Sequence, residues 1–194
     1  LGFTGPPGAG KSTLINAFVA ALRDRAQSVA VLAVDPSSPL SGGAILGDRI
    51  RMSEHVADPG VFVRSLASRG HLGGLSRATA HVIDLMDAAG WDTIILETVG
   101  AGQSEFEMTD LAHTNIVLLA PGLGDDIQAM KAGILEIADI LVVNKADLPG
   151  AGTTASQLKS MLSLRPDSGG EVPVIETVAT TGAGVDQLAD AVSN

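Results

Sequence analysis

Gly5-Pro6-Pro7-Gly8-Ala9-Gly10-Lys11-Ser12-Thr13 has the spacing GxxxxGK[ST]. Glycine accepts positive φ and carries no Cβ, so a loop of this kind can aim successive backbone N–H groups at one anion. Lys11 adds a mobile charge at the β- and γ-phosphates, and the Ser12 hydroxyl is placed to ligate Mg²⁺. A helix that opens at the loop adds its N-terminal dipole to the same anion. The flanks have that form. Leu1-Gly2-Phe3-Thr4 reads as the end of a buried strand, and Leu14, Ile15, Phe18, Val19 and Leu22 recur at helical spacing. Gly5 through Thr13 are therefore the candidate phosphate-binding residues.

A second motif narrows the nucleotide. The apolar, β-branched run Ile140-Leu141-Val142-Val143 ends in Asn144-Lys145-Ala146-Asp147, an NKxD pattern. The Asp147 carboxylate can accept hydrogen bonds from the ring N–H and 2-amino group of guanine, donors that adenine lacks at those positions. A desolvated carboxylate left unpaired is costly, so discrimination should be large. Asn144 can tether neighbouring loops, and the Lys145 stem can cover the base plane. After another strand-like run, Pro173–Val178, the segment Ala179-Thr180-Thr181-Gly182 stands where GTPases supply a second base-contacting loop. Small residues after a strand are common, so that signal is weaker.

Composition sets limits. The 194 residues read as one domain long enough for a substantial core. With 45% hydrophobic but 3% aromatic residues, that core is built from Leu, Ile, Val and Ala. A formal charge of −10 without a basic run argues against nucleic acid and anionic membrane as partners. No stretch is long and apolar enough to span a bilayer, and no signal peptide is visible. The absence of cysteine excludes disulfides and thiolate metal sites and leads to the expectation of a cytoplasmic setting. His55, His71, His81 and His113 show no ligand spacing and are read as solvated or core residues. The chain starts inside a strand without Met, so flanking segments are expected.

Strands and helices alternate. Strands are predicted at Gly2–Thr4, Val29–Asp35, Val61–Val63, Thr93–Thr98, Asn115–Ala120, Ile140–Asn144 and Val174–Val178. Helices are predicted at Lys11–Ala26, Leu75–Ala89, Asp126–Ala138, Thr154–Leu164 and Val185–Val192. Leu75, Val82, Leu85, Met86 and Ala89 form a stripe read as core. The pattern predicts an α/β P-loop fold: a doubly wound, mostly parallel sheet with helices on both faces and ligands at the carboxyl ends of the strands. Ser37–Gly47 and Arg165–Glu171 read as exposed loops.

Carboxylates at those strand ends come next. Val31–Asp35 ends in Asp35, and Thr93–Glu97 leads into Glu97-Thr98-Val99-Gly100, an ExxG pattern. Mg²⁺ is hard and octahedral, satisfied by a few carboxylates, waters and phosphate oxygens. Asp35, Asp48 and Glu97 are candidate inner- or outer-shell partners beside Ser12. Gly100 could approach a γ-phosphate. Lys11, Glu97 and Gly100 are thus the candidate catalytic positions.

The phrases Val34–Ser38, Gly42-Gly43-Ala44-Ile45-Leu46-Gly47-Asp48-Arg49, Glu97-Thr98-Val99-Gly100-Ala101-Gly102-Gln103-Ser104-Glu105 and Asn144–Asp147 occur in that order. Together they resemble the MeaB/ArgK family of P-loop GTPases, relatives of the metallocentre-assembly GTPases. The resemblance covers nearly the whole chain. It implies a GTP/GDP-binding, Mg²⁺-dependent GTPase that assists an adenosylcobalamin-dependent mutase of the methylmalonyl-CoA type. It implies that Gly42–Arg49 is switch I, that Glu97–Glu105 is switch II, and that Asp35, Asp48 and Glu97 form the acidic magnesium environment. Pro121–Lys131 resembles an additional switch that communicates with the mutase, although capping alone would explain Asp125 and Asp126.

The resemblance further implies that the 194 residues are one GTP-binding domain, without the family's N-terminal helical segment and C-terminal dimerisation arm; a homodimer is expected only with that arm. Ala101 stands where Ras-like GTPases place a water-orienting glutamine. Slow hydrolysis is therefore expected in the absence of a partner. Two alternatives compete with the mutase chaperone. A metallocentre-insertion GTPase would need soft or imidazole ligands, and the absence of cysteine with four scattered histidines argues against it. An ATPase or kinase linked to lysine, arginine and ornithine transport conflicts with the NKAD sequence.

Overall fold

Three residues of β1 (Gly2–Thr4), all buried, lie in the middle of a seven-stranded sheet. The structure, a computed structural model, describes residues 1–35, 55, 57–67, 77–98, 108–122, 134–163 and 171–193. After β1 come α1 (Lys11–Asp24), β2 (Val29–Asp35), β3 (Val61–Ala67), α2 (Arg77–Ala88), β4 (Thr93–Thr98) and β5 (Asn115–Leu119). Then follow α3 (Ile134–Ile137), β6 (Ile140–Val143), α4 (Ala151–Leu162), β7 (Val174–Glu176) and α5 (Val185–Ser193). The strand order is β3-β2-β4-β1-β5-β6-β7. Every pairing among these strands is parallel, so the mostly parallel sheet expected from sequence is parallel throughout the described residues.

Side-chain alternation sorts the core into two faces. Phe3, Val31, Ile95, Leu118 and Val142 point to one side and pack with Leu14, Ile15, Phe18 and Val19 of α1 and with Leu188 of α5. Phe3 and Phe18 meet with ring centroids 5.6 Å apart. On the other side, Val117, Leu119, Leu141 and Val143 pack against Ala151, Ala155 and Leu158 of α4. Leu32, Val34 and Leu96 pack there with Met108, and Val82 and Ile83 of α2 close that cluster. Strands apolar on both faces are what a sheet covered by helices on each side requires.

Several boundaries differ from the sequence reading, for local reasons. Helix α1 stops at Asp24 rather than Ala26 because Ala26 adopts φ 60. Its N–H turns back to the Arg23 carbonyl, and the Gln27 N–H reaches the Leu22 carbonyl. Strand β3 runs to Ala67 rather than Val63. All seven of its residues pair with β2 although Arg64 interrupts the apolar run, because β3 is an edge strand and Arg64 faces water. Strand β7 ends at Glu176, two residues early, because Val178 pairs instead with Ala183 in a tight loop. Helix α4 starts at Ala151 after Gly150, whose φ of 93 sets the turn. Strands β5 and β6 each end one residue early, and α5 runs one residue further, to Ser193.

The stripe assigned to the core on α2 needs correction. Val82 and Ile83 are half-buried, but Leu85 is 61% exposed and Ala89 is exposed. Thr79, a polar residue, is buried instead. A 3.6-residue period cannot distinguish the buried edge of a helix from its flank when the helix meets the sheet obliquely. Of the histidines, His55 is half-buried with Nε2 3.2 Å from the Asn16 carbonyl oxygen, while His81 and His113 are exposed. Leu75, His71 and the Ser37–Gly47 loop lie outside the described residues, as does most of 165–171.

The two faces should respond differently to truncation. Phe18→Ala removes a fully buried ring and should destabilise the fold by about 3–5 kcal/mol, whereas Leu85→Ala should stay within about 0.5 kcal/mol. Denaturant midpoints of the two variants check this.

Candidate nucleotide-binding site

The strand order reverses across β1. Helix α1 carries the chain from β1 over to β2, leaving β4 between them, while β5 lies on the other side. A crevice therefore opens at the carboxyl end of β1, where the Gly5–Thr13 loop stands. Gly5, with φ 144, turns against the Leu118 carbonyl of β5, and a Cβ there would collide with that oxygen. Gly8 has φ 82 and Gly10 has φ 91, and Gly10 is the residue before α1. Pro7 and Gly8 are exposed, whereas Ala9 is fully buried within the core under α1. The loop is thus fastened by one methyl group while its crest faces the crevice.

Lys11 is buried, and its ammonium donates to the carbonyls of Gly5 at 2.7 Å and Pro6 at 3.3 Å. The lysine thereby spans its own loop, holding its charge in the concavity that the backbone encloses. One residue on, the Ser12 hydroxyl donates to Glu97 Oε1 at 2.7 Å. Glu97 is next to last in β4 and pairs in register with Phe3 of β1. It has the parity of Ile95, so it points to the α1 side of the sheet. These contacts bring together two residues 85 apart in sequence. A hydroxyl and a carboxylate so close are hard oxygen donors, the chemistry that suits Mg²⁺.

The NKAD segment reaches the same loop from β6. Asn144 is buried, and its side chain makes three hydrogen bonds. Its Nδ2 donates to the Ala9 carbonyl at 2.9 Å, and its Oδ1 accepts from Thr177 Oγ1 at 3.1 Å and from the Ala179 N–H at 3.2 Å. Lys145 has a φ of 57 and donates from Nζ to the Gly8 carbonyl at 2.8 Å. Its stem therefore lies across the gap between the two loops. Asp147 is exposed beyond it. Ala179 is buried beside Asn144, while Thr180 and Thr181 are exposed on a turn closed by the Thr181 and Gly182 N–H groups to the Val178 carbonyl. A cleft of about 500 Å³ runs along this edge, lined by Gly8, Lys11, Ser12, Glu97, Thr98 and Lys145 among others.

The structure therefore gathers Gly5–Thr13, Glu97, Asn144, Lys145 and Ala179 on one edge. Asp35 ends β2 beside this edge, but its side chain is outside the described set. Asp48, Gly100, the Gly42–Arg49 and Val99–Glu105 phrases and residues 123–131 also lie outside it. Sequence reasoning missed Thr177, which holds Asn144, and Thr98, which lines the cleft. A hydroxyl residue ending or following an apolar strand was the available signal for both.

The whole chain, residues 1–194, matches the family described as methylmalonyl Co-A mutase-associated GTPase MeaB. The chain belongs to that family. Among proteins similar to it, a putative GTPase of Pyrococcus horikoshii is 54% identical over 192 residues, covering 97% of this chain and 61% of the relative. A mouse protein named methylmalonic aciduria type A homolog, mitochondrial, is 41% identical over 195 residues, covering 98% of this chain and 47% of the relative. A crystal structure titled LAO/AO transport system kinase superposes with a TM-score of 0.78 at 31% identity, covering 99% of this chain and 57% of that one. The chain thus spans about half to three fifths of the length of these MeaB-like relatives. The crevice architecture is that of the P-loop GTPase fold, and no described helix is long and apolar enough to cross a membrane.

Gly10 and Gly8 separate two costs. Both have positive φ, but a Cβ on Gly10 would lie 2.5 Å from Asn144 Nδ2, while one on Gly8 meets nothing within 4 Å. Gly10→Ala should weaken nucleoside-triphosphate binding by roughly tenfold or more through strain plus displacement of Asn144, and Gly8→Ala should weaken it less. Titration with a fluorescent nucleotide analogue checks the ranking.

Proposed function

We propose that this chain is the GTP-binding, GTP-hydrolysing unit of a chaperone that gates cofactor loading or protection of an adenosylcobalamin-dependent mutase of the methylmalonyl-CoA type. The observation that carries the GTPase reading is the convergence of the Ser12–Glu97 pair and the Asn144–Lys145 tethers on one phosphate loop. The mutase partnership is supported by the family's description and by the name of the mouse relative.

Each residue has a role in this reading. Backbone N–H groups of the Gly5–Thr13 loop bind the β-phosphate, and Lys11 exchanges its loop carbonyls for the β- and γ-phosphate oxygens. Asp147 takes the guanine ring N–H and 2-amino group, Lys145 covers the base, and Ala179–Thr181 borders it. Ser12 and Glu97, with Asp35 and Asp48, hold Mg²⁺. When bound, the ion neutralises charge on the phosphate oxygens. Lys11 and Glu97, with the Gly100 backbone near the γ-phosphate, form the catalytic set. Nothing assigned here orients the attacking water, because Ala101 has no functional side chain. Hydrolysis is therefore slow until the partner reorders Glu97–Glu105 or Gly122–Lys131. Homodimer formation, in this reading, belongs to chain outside the 194 residues.

Three measurements test these assignments. Asp147→Asn exchanges an acceptor for a donor, so calorimetry should show GTP affinity falling at least about a hundredfold with ATP binding little changed. Equal affinity of the wild type for ATP and GTP would overturn the guanine reading. Ser12→Ala should weaken GTP binding chiefly when Mg²⁺ is present, while Lys11→Ala should weaken it with or without metal. An identical Ser12→Ala defect in excess chelator would remove Ser12 from the metal. Single-turnover hydrolysis should rise by one or more orders of magnitude on adding the mutase, since each ~1.4 kcal/mol off the barrier is tenfold in rate. Replacing Gly122–Lys131 should abolish that rise without abolishing GTP binding.

A further inference from the structure

We infer that Thr98 is a positioning residue for hydrolysis: its hydroxyl, held on Thr4, fixes the end of β4 so that Glu97 meets Ser12. Thr98 Oγ1 donates to Thr4 Oγ1 at 3.4 Å, with both side chains almost fully buried. The backbone register between β1 and β4 runs through Gly2↔Leu96 and Phe3↔Glu97. Two residues further, Gly5 turns away towards β5 with φ 144. The hydroxyl pair continues the β1–β4 seam where the backbone register ends.

The parity of the strand gives this contact its leverage. Glu97 and Thr98 are neighbours and so point to opposite faces. Glu97 lies on the Ile95 side and accepts from Ser12 at the start of α1. Thr98 lies on the Leu96 side and bonds to the residue immediately before the phosphate loop. The last turn of peptide in β4 is therefore pinned from above by the helix that follows the loop and from below by the strand that precedes it. On its far edge it is paired with β2, Val34 opposite Thr98. Rotation of this peptide would swing Glu97 off Ser12 while leaving the Asn144, Lys145 and Asp147 region untouched.

The inference rests on the GTPase reading above, and the experiment separates the two. Thr98→Val keeps the branched shape and the strand preference but removes the donor; Thr98→Ser keeps the hydroxyl and loses the methyl. Expected for Thr98→Val is a single-turnover rate lower by roughly ten- to hundredfold, as for a misplaced catalytic group, with GTP affinity in chelator within about twofold of wild type. Thr98→Ser should recover most of the rate. Thr4→Val should lower the rate similarly, and the Thr4→Val/Thr98→Val pair should cost no more than either alone, as residues sharing one contact do. An unchanged rate in Thr98→Val, a Thr98→Ser variant as slow as Thr98→Val, or fully additive losses would overturn the assignment. If Thr98→Val fails to fold while Thr98→Ser and Thr4→Val fold and hydrolyse at the wild-type rate, the contact is structural and the inference is overturned as well. A wild type that binds GTP but never hydrolyses it, with mutase or without, overturns the hydrolytic reading itself, and this inference with it.

Discussion

The three hydrogen bonds of the Asn144 side chain are the constraint on which the site depends. They join the end of β6 to the phosphate loop through Ala9 and to the segment after β7 through Thr177 and Ala179. An amide offers two donors and a carbonyl acceptor in a fixed plane, so one buried residue can specify the separation of three loops. A carboxylate there would face the Ala9 carbonyl without a donor, and an apolar residue would orphan the Thr177 hydroxyl and the Ala179 N–H. Each such loss costs about 1–3 kcal/mol when buried. Lys145 repeats the tether on the exposed side, at Gly8. The end of β6, the Gly5–Thr13 loop and the segment after β7 are therefore tied into one unit by contacts within the protein.

Much of this was legible in the sequence. The GxxxxGK[ST] and NKxD spacings each encode a local conformation, so their residues could be named and their placement at strand ends anticipated. Glycine at 5, 8 and 10 was readable as a demand for positive φ, and all three have it. The two-faced apolar strands gave the parallel sheet because residues such as Val117 and Leu118 are both hydrophobic and face opposite helices. The strand-end position of Glu97 placed it beside Ser12, and the two are in contact. Nothing in Thr98 announces Thr4, because that pairing depends on strand order rather than on a motif. The α2 stripe failed for the same reason. Leu85 lies on the period, yet it stands in water on the flank of the helix.

Gly2 and Met108 show how tightly the central strand is confined. A Cβ on Gly2 would sit 2.6 Å from the Met108 sulfur, so the methionine uses the space that the absent side chain leaves. Met108 is fully buried with Leu32, Val34 and Leu96. A different tie holds the β3 edge of the sheet. Arg23, in the last turn of α1, clasps Asp58 at 2.9 Å and reaches the Gln27 carbonyl at 2.7 Å. The Arg23 guanidinium, with help from the Gly60 N–H, holds the Asp58 carboxyl below the usual carboxylate range. This ion pair is half-buried near the surface, where such pairs add little stability. Its effect is geometric: it fixes where α1 ends relative to the turn before β3.

These restraints have a consequence for how the site works. Ala9 is part of the core beneath α1, and Phe3, two residues before Gly5, packs on Phe18 of the same helix. The phosphate loop is thus bounded on both sides by residues that cannot move without opening the core, and close-packed interiors resist such movement. A loop held this way presents its N–H groups already aimed, so little ordering remains to oppose nucleotide binding. The backbone of the loop is thus set before a ligand arrives. In the proposed function, regulation acts instead on contacts between separate elements. The Ser12–Glu97 contact is one of these, because one partner belongs to the rigid loop and helix and the other to the end of β4. On the proposed function, a partner protein that altered the end of β4 would change hydrolysis while leaving the segment that Asn144 ties to β6, and with it the proposed guanine contacts, as it was.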